Sequence, residues 1–285
     1  MSAITINPGV FAPGDLGGLD GFYREHGFAV LSGAVDPATM DRLEAECVSA
    51  QEGLVAGTLD ARYGTSELVE GDAGDKARTF ANYVTHITDL SPAARDIMHG
   101  EVVTGLIGRW LGATCWSATT ERFGYVYQDA RSGEKSSYTR IGWHSDWQSS
   151  PHLDLWPATA VTIHVDGTSP ANGFLRVVPG SHLWATPPPY ENVNGAVVPE
   201  GSAPWGGYGD AAPPLPMPLG FDKIPGEIAL YADRGDILFH DCYLWHSAAR
   251  ATDSSARRRH VRGSWYAGSR PVNYGPEDFV KNAAR

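Results

Sequence analysis

The sequence has no cysteine framework: Cys47, Cys115 and Cys242 are odd in number, widely spaced and contain no CxxC pair. Free thiols in a reducing compartment are expected, and a small disulfide-stapled fold is excluded. Positive charge is also scarce. The formal net charge of −11 leaves Arg257-Arg258-Arg259 as the one dense basic run, too short to track a phosphate backbone, so no nucleic-acid partner is expected. No stretch approaches the roughly 18 apolar residues of a membrane span. Met1-Ser2-Ala3-Ile4-Thr5 lacks the basic and apolar regions of a signal peptide. No internal repeat is apparent. These absences point to a cytoplasmic protein without a membrane partner, and its apolar fraction of 42% is that of a globular chain. At 285 residues one domain spanning 1–285 is expected.

What is present divides the chain. Residues 1–113 read as a mostly helical flank. Leu19, Phe22 and Tyr23 have helical spacing, Gly27 ends that helix, and Phe28-Ala29-Val30-Leu31 is a short strand. Asp36-Pro37 supplies an N-cap and a first-turn proline for a helix carrying Met40, Leu43 and Cys47. Ser91-Pro92 starts another, predicted to run to Gly112 with Ile97, Val102, Leu106, Ile107, Trp110 and Leu111 on its apolar face. From about 114 to 270 short strands alternate with turns, near 114–128, 139–147, 158–166, 174–179, 227–231, 236–241, 244–250 and 258–267. Helices followed by about eight such strands predict a mainly β fold: a double-stranded β-helix, the cupin-like jelly roll, flanked by N-terminal α-helices. Residues 183–226 interrupt the strands with proline, glycine and aromatics. An irregular insertion of that length is more often a functional lid than a disordered loop.

His-x-Asp occurs three times, at His144-Ser145-Asp146, His152-Leu153-Asp154 and His164-Val165-Asp166. Two histidines and a carboxylate can hold one face of an iron(II) ion and leave three positions open. On a strand, residues two apart share a face, so both can reach one ion. Spacing alone leaves the three motifs open, and any single histidine is more often a hydrogen-bonded core or surface residue. His182, His240, His246 and His260 compete for the distal position. Arg257 and Arg258 follow His246 by eleven and twelve residues, where a cation could hold a co-substrate carboxylate bidentately, which favours His246.

Four stretches together resemble the phytanoyl-CoA dioxygenase family of iron(II)/2-oxoglutarate oxygenases. They are Phe22–Leu31, Trp143-His144-Ser145-Asp146, Asn172-Gly173-Phe174-Leu175-Arg176-Val177-Val178-Pro179-Gly180-Ser181-His182, and Gly235-Asp236-Ile237-Leu238-Phe239 leading to Trp245-His246-Ser247. The resemblance covers nearly the whole chain. It implies His144, Asp146 and His246 as catalytic iron(II) ligands, with 2-oxoglutarate as co-substrate and O2 as oxidant. It implies Arg258, with Arg257 the one-residue alternative, and Thr162 as co-substrate contacts. Ala248 departs from the serine that relatives often carry two residues beyond the distal histidine. Because Asp146 is present, halogenation is not expected.

The implied function is oxidation of a small molecule, by default hydroxylation with release of succinate and CO2. Epimerisation, cyclisation and desaturation are alternatives with the same cofactors. A cupin-like isomerase or a non-catalytic metal-binding jelly roll is the further alternative. Trp147, Tyr190, Trp205 and Tyr208 suggest a flat or apolar substrate, such as a natural-product intermediate. The sequence says nothing about oligomeric state.

Overall fold

The computed structural model describes residues 8–64, 83–119, 124–131, 141–151, 153–188, 204–218, 220–253 and 255–271. His152 and Tyr190 lie outside them.

The N-terminal part is built on local signals. Strand β1 (Val10–Phe11) runs parallel to β2 (Phe28–Leu31), and helix α1 (Leu16–His26) lies between them in sequence. Asp15 caps α1 by accepting from the Gly18 amide, and Gly27 ends it at φ +81°. A Cβ on Gly27 would come within 2.6 Å of the His182 ring, so glycine is required twice over. Asp36 and Pro37 open α2 (Pro37–Val55) as expected. Strand β3 (Tyr83–Val84) and helix α3 (Ile87–Leu90) follow. The helix starting at Ser91-Pro92 is broken into α4 (Pro92–Met98) and α5 (Glu101–Leu111), with Gly100 as the cap of the second. The break rotates the apolar face. Val103, Leu106, Ile107 and Leu111 are buried, whereas Val102, expected inside, is 45% exposed.

The β part comprises β4 (Trp116–Ser117), β5 (Val126–Arg131), β6 (Ile141–His144), β7 (Ala158–His164), β8 (Leu175–Val177), β9 (Ile228–Leu230), β10 (Ile237–Asp241), β11 (His246–Ala248) and β12 (Arg257–Tyr266). Among the described residues they form two sheets. The larger has the order β1-β2-β10-β7-β12-β5-β3, with β4 also on β12; the smaller has the order β6-β11-β8-β9. This is the double-stranded β-helix.

Alternation along the strands gives the larger sheet two different faces. Val161, Ile163, Ile237, Phe239 and Val261 pack against helix residues such as Leu43, Cys47, Met98 and Ile107. Each such buried side chain contributes about 1.5–3 kcal/mol. Leu238 faces the other way and packs with Phe28, Val30, Val177, Leu230 and Leu244. Thr162, His164, His240, Arg258 and His260 share that inner parity and stand between the sheets.

Asp241 ends β10 at 1% exposure, accepting from the Tyr208 hydroxyl at 2.9 Å and the Tyr243 amide at 2.8 Å. Burial pushes its carboxyl from 3.8 up to about 6. Because the folded acid holds its proton more tightly than the unfolded one, stability falls as pH rises from about 4 to about 6. The linked loss is about 3 kcal/mol. Urea unfolding across that window is expected to show wild-type stability declining relative to Asp241→Asn, and parallel curves would contradict the assignment.

Candidate metal centre

The smaller sheet brings two of the predicted residues face to face. In the antiparallel pairing of β6 with β11, His144 stands directly opposite His246, with ring centroids 4.1 Å apart. Each histidine follows a tryptophan. Trp143 and Trp245 turn outward into a cluster with Val178 and Ile224, which leaves both imidazoles on the inner face. The His144 Nδ1 lies 2.9 Å from the Gly142 carbonyl and the His246 Nδ1 lies 2.9 Å from that of Leu244. A carbonyl only accepts, so each Nδ1 carries the proton and each Nε2 presents a lone pair.

Asp146 reaches the cluster by a different route from the one the spacing suggested. β6 ends at His144, and Asp146 is the first residue of a 3-10 turn over Asp146–Ser149. The Gln148 side chain accepts from the Ser145 amide, and the Trp147 amide donates to the Cys242 carbonyl, which fastens the turn to the larger sheet. Asp146 Oδ1 then lies 3.6 Å from His246 Nε2 and 4.0 Å from His144 Nε2. One ligand atom from each of the three residues lies within 4.8 Å of the others, close enough for one ion to bond all three. The His144 and Asp146 side chains are 34% and 35% exposed while that of His246 is 6% exposed, so the cluster is open on one side.

The electrostatics suit a divalent cation. Burial works against the Asp146 charge, but His246 and then His240 and His144 override it and hold the carboxyl well below the usual range. Burial, with His144 beside it, holds His246 well below an ordinary histidine. An ionised carboxylate and deprotonated imidazole nitrogens are the forms that bind metal.

Deeper between the sheets lies Arg258, 8% exposed. Its Nε is buried with no hydrogen-bond partner, and it has no ion pair among the described residues. Gly173 covers it: a Cβ there would come 3.1 Å from Arg258 Nη1 and 2.7 Å from the Ala249 carbonyl. His164, directly across from His260 in the β7–β12 register, is 7% exposed, and neither ring nitrogen meets a well-aligned hydrogen-bond partner among the described residues. Burial, joined by Arg258, pushes it down to about 3. Thr162 is on the same inner face, two residues along. A buried, unpaired guanidinium is costly unless an anion completes it.

A jelly roll with two histidines and a carboxylate grouped on its inner wall is the arrangement of mononuclear non-haem iron enzymes. The phytanoyl-CoA dioxygenase (PhyH) family model matches residues 23–260, and the chain belongs to that family. It is thus a non-haem iron(II)- and 2-oxoglutarate-dependent enzyme. No curated protein matches the sequence. Solved structures match the fold at low identity. AviO1 from Streptomyces viridochromogenes is 18% identical over 90% of this chain and 97% of that one, with TM-score 0.57. The epimerase SnoN, in complex with Fe3+, alpha-ketoglutarate and nogalamycin RO, is 19% identical over 92% and 88%, with TM-score 0.58. EctD from S. alaskensis, with 2-oxoglutarate and 5-hydroxyectoine, is 15% identical over 92% and 82%, with TM-score 0.59.

The remaining sequence candidates sort by contact. His164 and Asp166 do not converge, because β7 ends at His164 and Asp166 bonds the Arg259 guanidinium at 2.6 and 2.8 Å. His182 bonds the Arg24 carbonyl at 3.2 Å. Arg257, the alternative co-substrate arginine, is engaged by Asp129 at 2.6 and 2.8 Å on the helix side of the sheet. Trp147 is corrected as a substrate surface. It is 1% exposed, and a Cβ on Gly206 would come within 2.3 Å of its ring, so the insertion rests on it. Three inward histidines are only rivals in the sequence reading: His240 and His260 for the distal ligand, and His164 in one of the His-x-Asp motifs. The signal for His240 and His164 was alternation with buried neighbours, Phe239 and Ile163.

No helix among the described residues is long and apolar enough to cross a membrane.

Proposed function

We propose that the chain uses iron(II), 2-oxoglutarate and O2 to hydroxylate a small-molecule substrate, a natural-product intermediate, releasing succinate and CO2. The observation that carries this reading is the grouping of His144, Asp146 and His246 together with a buried Arg258 that has no ion pair among the described residues. The cofactor and co-substrate supply the oxidising power, and the protein supplies position. In this reading His144 and His246 offer their Nε2 lone pairs and Asp146 its charge. Arg258 pairs with the far carboxylate of the co-substrate, and Thr162 adds a hydroxyl beside it. The whole chain acts as one cytoplasmic domain.

The insertion over 183–226 serves as a lid. Its described part is tied down by the Thr186–Gly206 bridge, by Gln148 donating to the Pro187 carbonyl at 3.4 Å, and by Trp143 donating to that of Asp222 at 2.7 Å. Trp205 and Tyr208 remain 46% and 51% exposed, available to an apolar ligand; Tyr190 belongs to the same insertion. Trp205→Ala and Tyr208→Ala are each expected to raise substrate KM roughly 3- to 10-fold with kcat little changed. An unchanged KM in both would remove the lid from the reading.

The primary test is anaerobic titration of the apo protein with iron(II) and then 2-oxoglutarate, following the visible charge-transfer band. A band in the wild type and none in His144→Ala is expected. Tight metal binding without any band would favour an isomerase or binding protein. A second outcome for the same cofactors, epimerisation or ring closure, has support from the fold alone. Matching structures include the epimerase SnoN and the carbocyclase SnoK from nogalamycin biosynthesis. Turnover under 18O2 separates the two, since hydroxylation places the label in the product.

A further inference from the structure

We propose that His240 is a positioning residue that assigns the two oxygens of Asp146, holding Oδ2 so that Oδ1 alone is offered to the metal; this rests on the metal-site reading above. His240 lies on β10 between Phe239 and Asp241, paired with Ala160 of β7 and Phe28 of β2. Phe239 packs on the helix side, so His240 points inward, and it is 8% exposed. Its Nε2 lies 3.2 Å from Asp146 Oδ2. An ionised carboxylate only accepts, so Nε2 donates. Nδ1 is buried without a partner, which leaves the bond to Asp146 as the side chain's one hydrogen bond among the described residues.

The division between the oxygens is clear in the distances. The contacts of His246 and His144 with the carboxylate are to Oδ1, at 3.6 and 4.0 Å, while that of His240 is to Oδ2, at 3.2 Å. The three imidazoles pack closely, with His240 and His246 centroids 4.6 Å apart, yet the group able to hold an ion contains His144, Asp146 and His246. Asp146 sits on a short turn rather than inside a strand, so its χ2 is not set by sheet geometry. Without a donor on Oδ2, the carboxylate can rotate away from the orientation that points Oδ1 at the two imidazoles. An outer donor that fixes one oxygen orients the ligand and preserves open positions for co-substrate and O2.

The test uses the full-length apo protein and Mn(II), read by the electron paramagnetic resonance signal of free Mn(II), alongside apo melting curves. His240→Leu, which keeps bulk but removes the donor, is expected to weaken Mn(II) binding roughly 10- to 100-fold. His240→Asn, too short to reach Oδ2, is expected to match leucine and serves if leucine does not fold. His240→Gln, whose amide can still donate, is expected to stay within about 5-fold of wild type. Leucine and asparagine variants that bind as tightly as wild type would overturn the proposal, as would a glutamine variant as weak as leucine in a protein of unchanged melting. Wild type that fails to bind Mn(II) would instead overturn the metal-site reading and this inference with it.

Discussion

Replacing His246 with alanine is expected to abolish iron(II) binding at micromolar metal and to remove the charge-transfer band with 2-oxoglutarate. The expected loss of affinity exceeds the roughly 10- to 100-fold that follows removal of an outer partner of a metal ligand. The reason is geometric. His246 is the most buried of the three candidate ligands, its Nδ1 is locked on the Leu244 carbonyl, and it stands opposite His144 across β6 and β11. Its loss leaves Asp146 and His144, two side chains each about one third exposed, and no third inward donor on Oδ1. The substitution leaves a cavity on the inner face, where the His246 side chain is 6% exposed, so melting of the apo variant must be compared first. A folded His246→Ala protein that still gave the band would move the distal ligand elsewhere, with His240 the nearest candidate.

The Arg258→Met variant is expected to show two effects of opposite sign. The apparent dissociation constant for 2-oxoglutarate rises roughly 100-fold or more, because a buried charge pair loses one partner. The apo protein meanwhile becomes more stable, by about 1 kcal/mol or more, some 2–4 °C in Tm, since an uncompensated buried guanidinium is exchanged for an apolar side chain of similar length. Arg258 is 8% exposed, its Nε has no partner among the described residues, and Gly173 closes over its Nη1. The Arg257 comparison sharpens the test. Arg257→Met breaks the pair with Asp129, whose side chain is fully buried, and is expected to lower Tm while leaving co-substrate affinity within a few-fold of wild type. Melting curves and the charge-transfer titration on both variants measure all four quantities. An Arg258→Met protein that binds 2-oxoglutarate normally would refute the assignment.

Much of the fold was legible because its signals are local. Asp36 caps α2 and Pro37 opens it, and Gly27 closes α1 at a positive φ, whereas the Asp15 cap of α1 was not foreseen. Most strand segments were recognisable between their turn residues, with ends displaced by a few residues, but the single strand expected over 114–128 is two, β4 and β5, and β1 and β3 were not foreseen. The one long helix expected after Ser91 failed at His99-Gly100, where a glycine that periodicity tolerates serves as a cap, and the burial of Val102 failed with it. At the site, His144 and His246 were legible from their motifs, and the structure adds that the neighbouring Trp143 and Trp245 turn outward while both imidazoles turn inward.

By itself the sequence determined which residues alternate in and out and which helix ends are capped, because those depend on neighbours a few positions away. Tertiary structure decided the rest. It decided that Asp146 enters from a turn rather than a strand, that Asp166 goes to Arg259 while His164 faces inward, and that Asp129 takes Arg257 and leaves Arg258 free of an ion pair among the described residues. It also brought His240 to the far oxygen of Asp146 across 94 positions of chain. Such choices depend on where strands end and on which strands lie side by side. A one-residue change in either turns a side chain to the opposite face of the sheet.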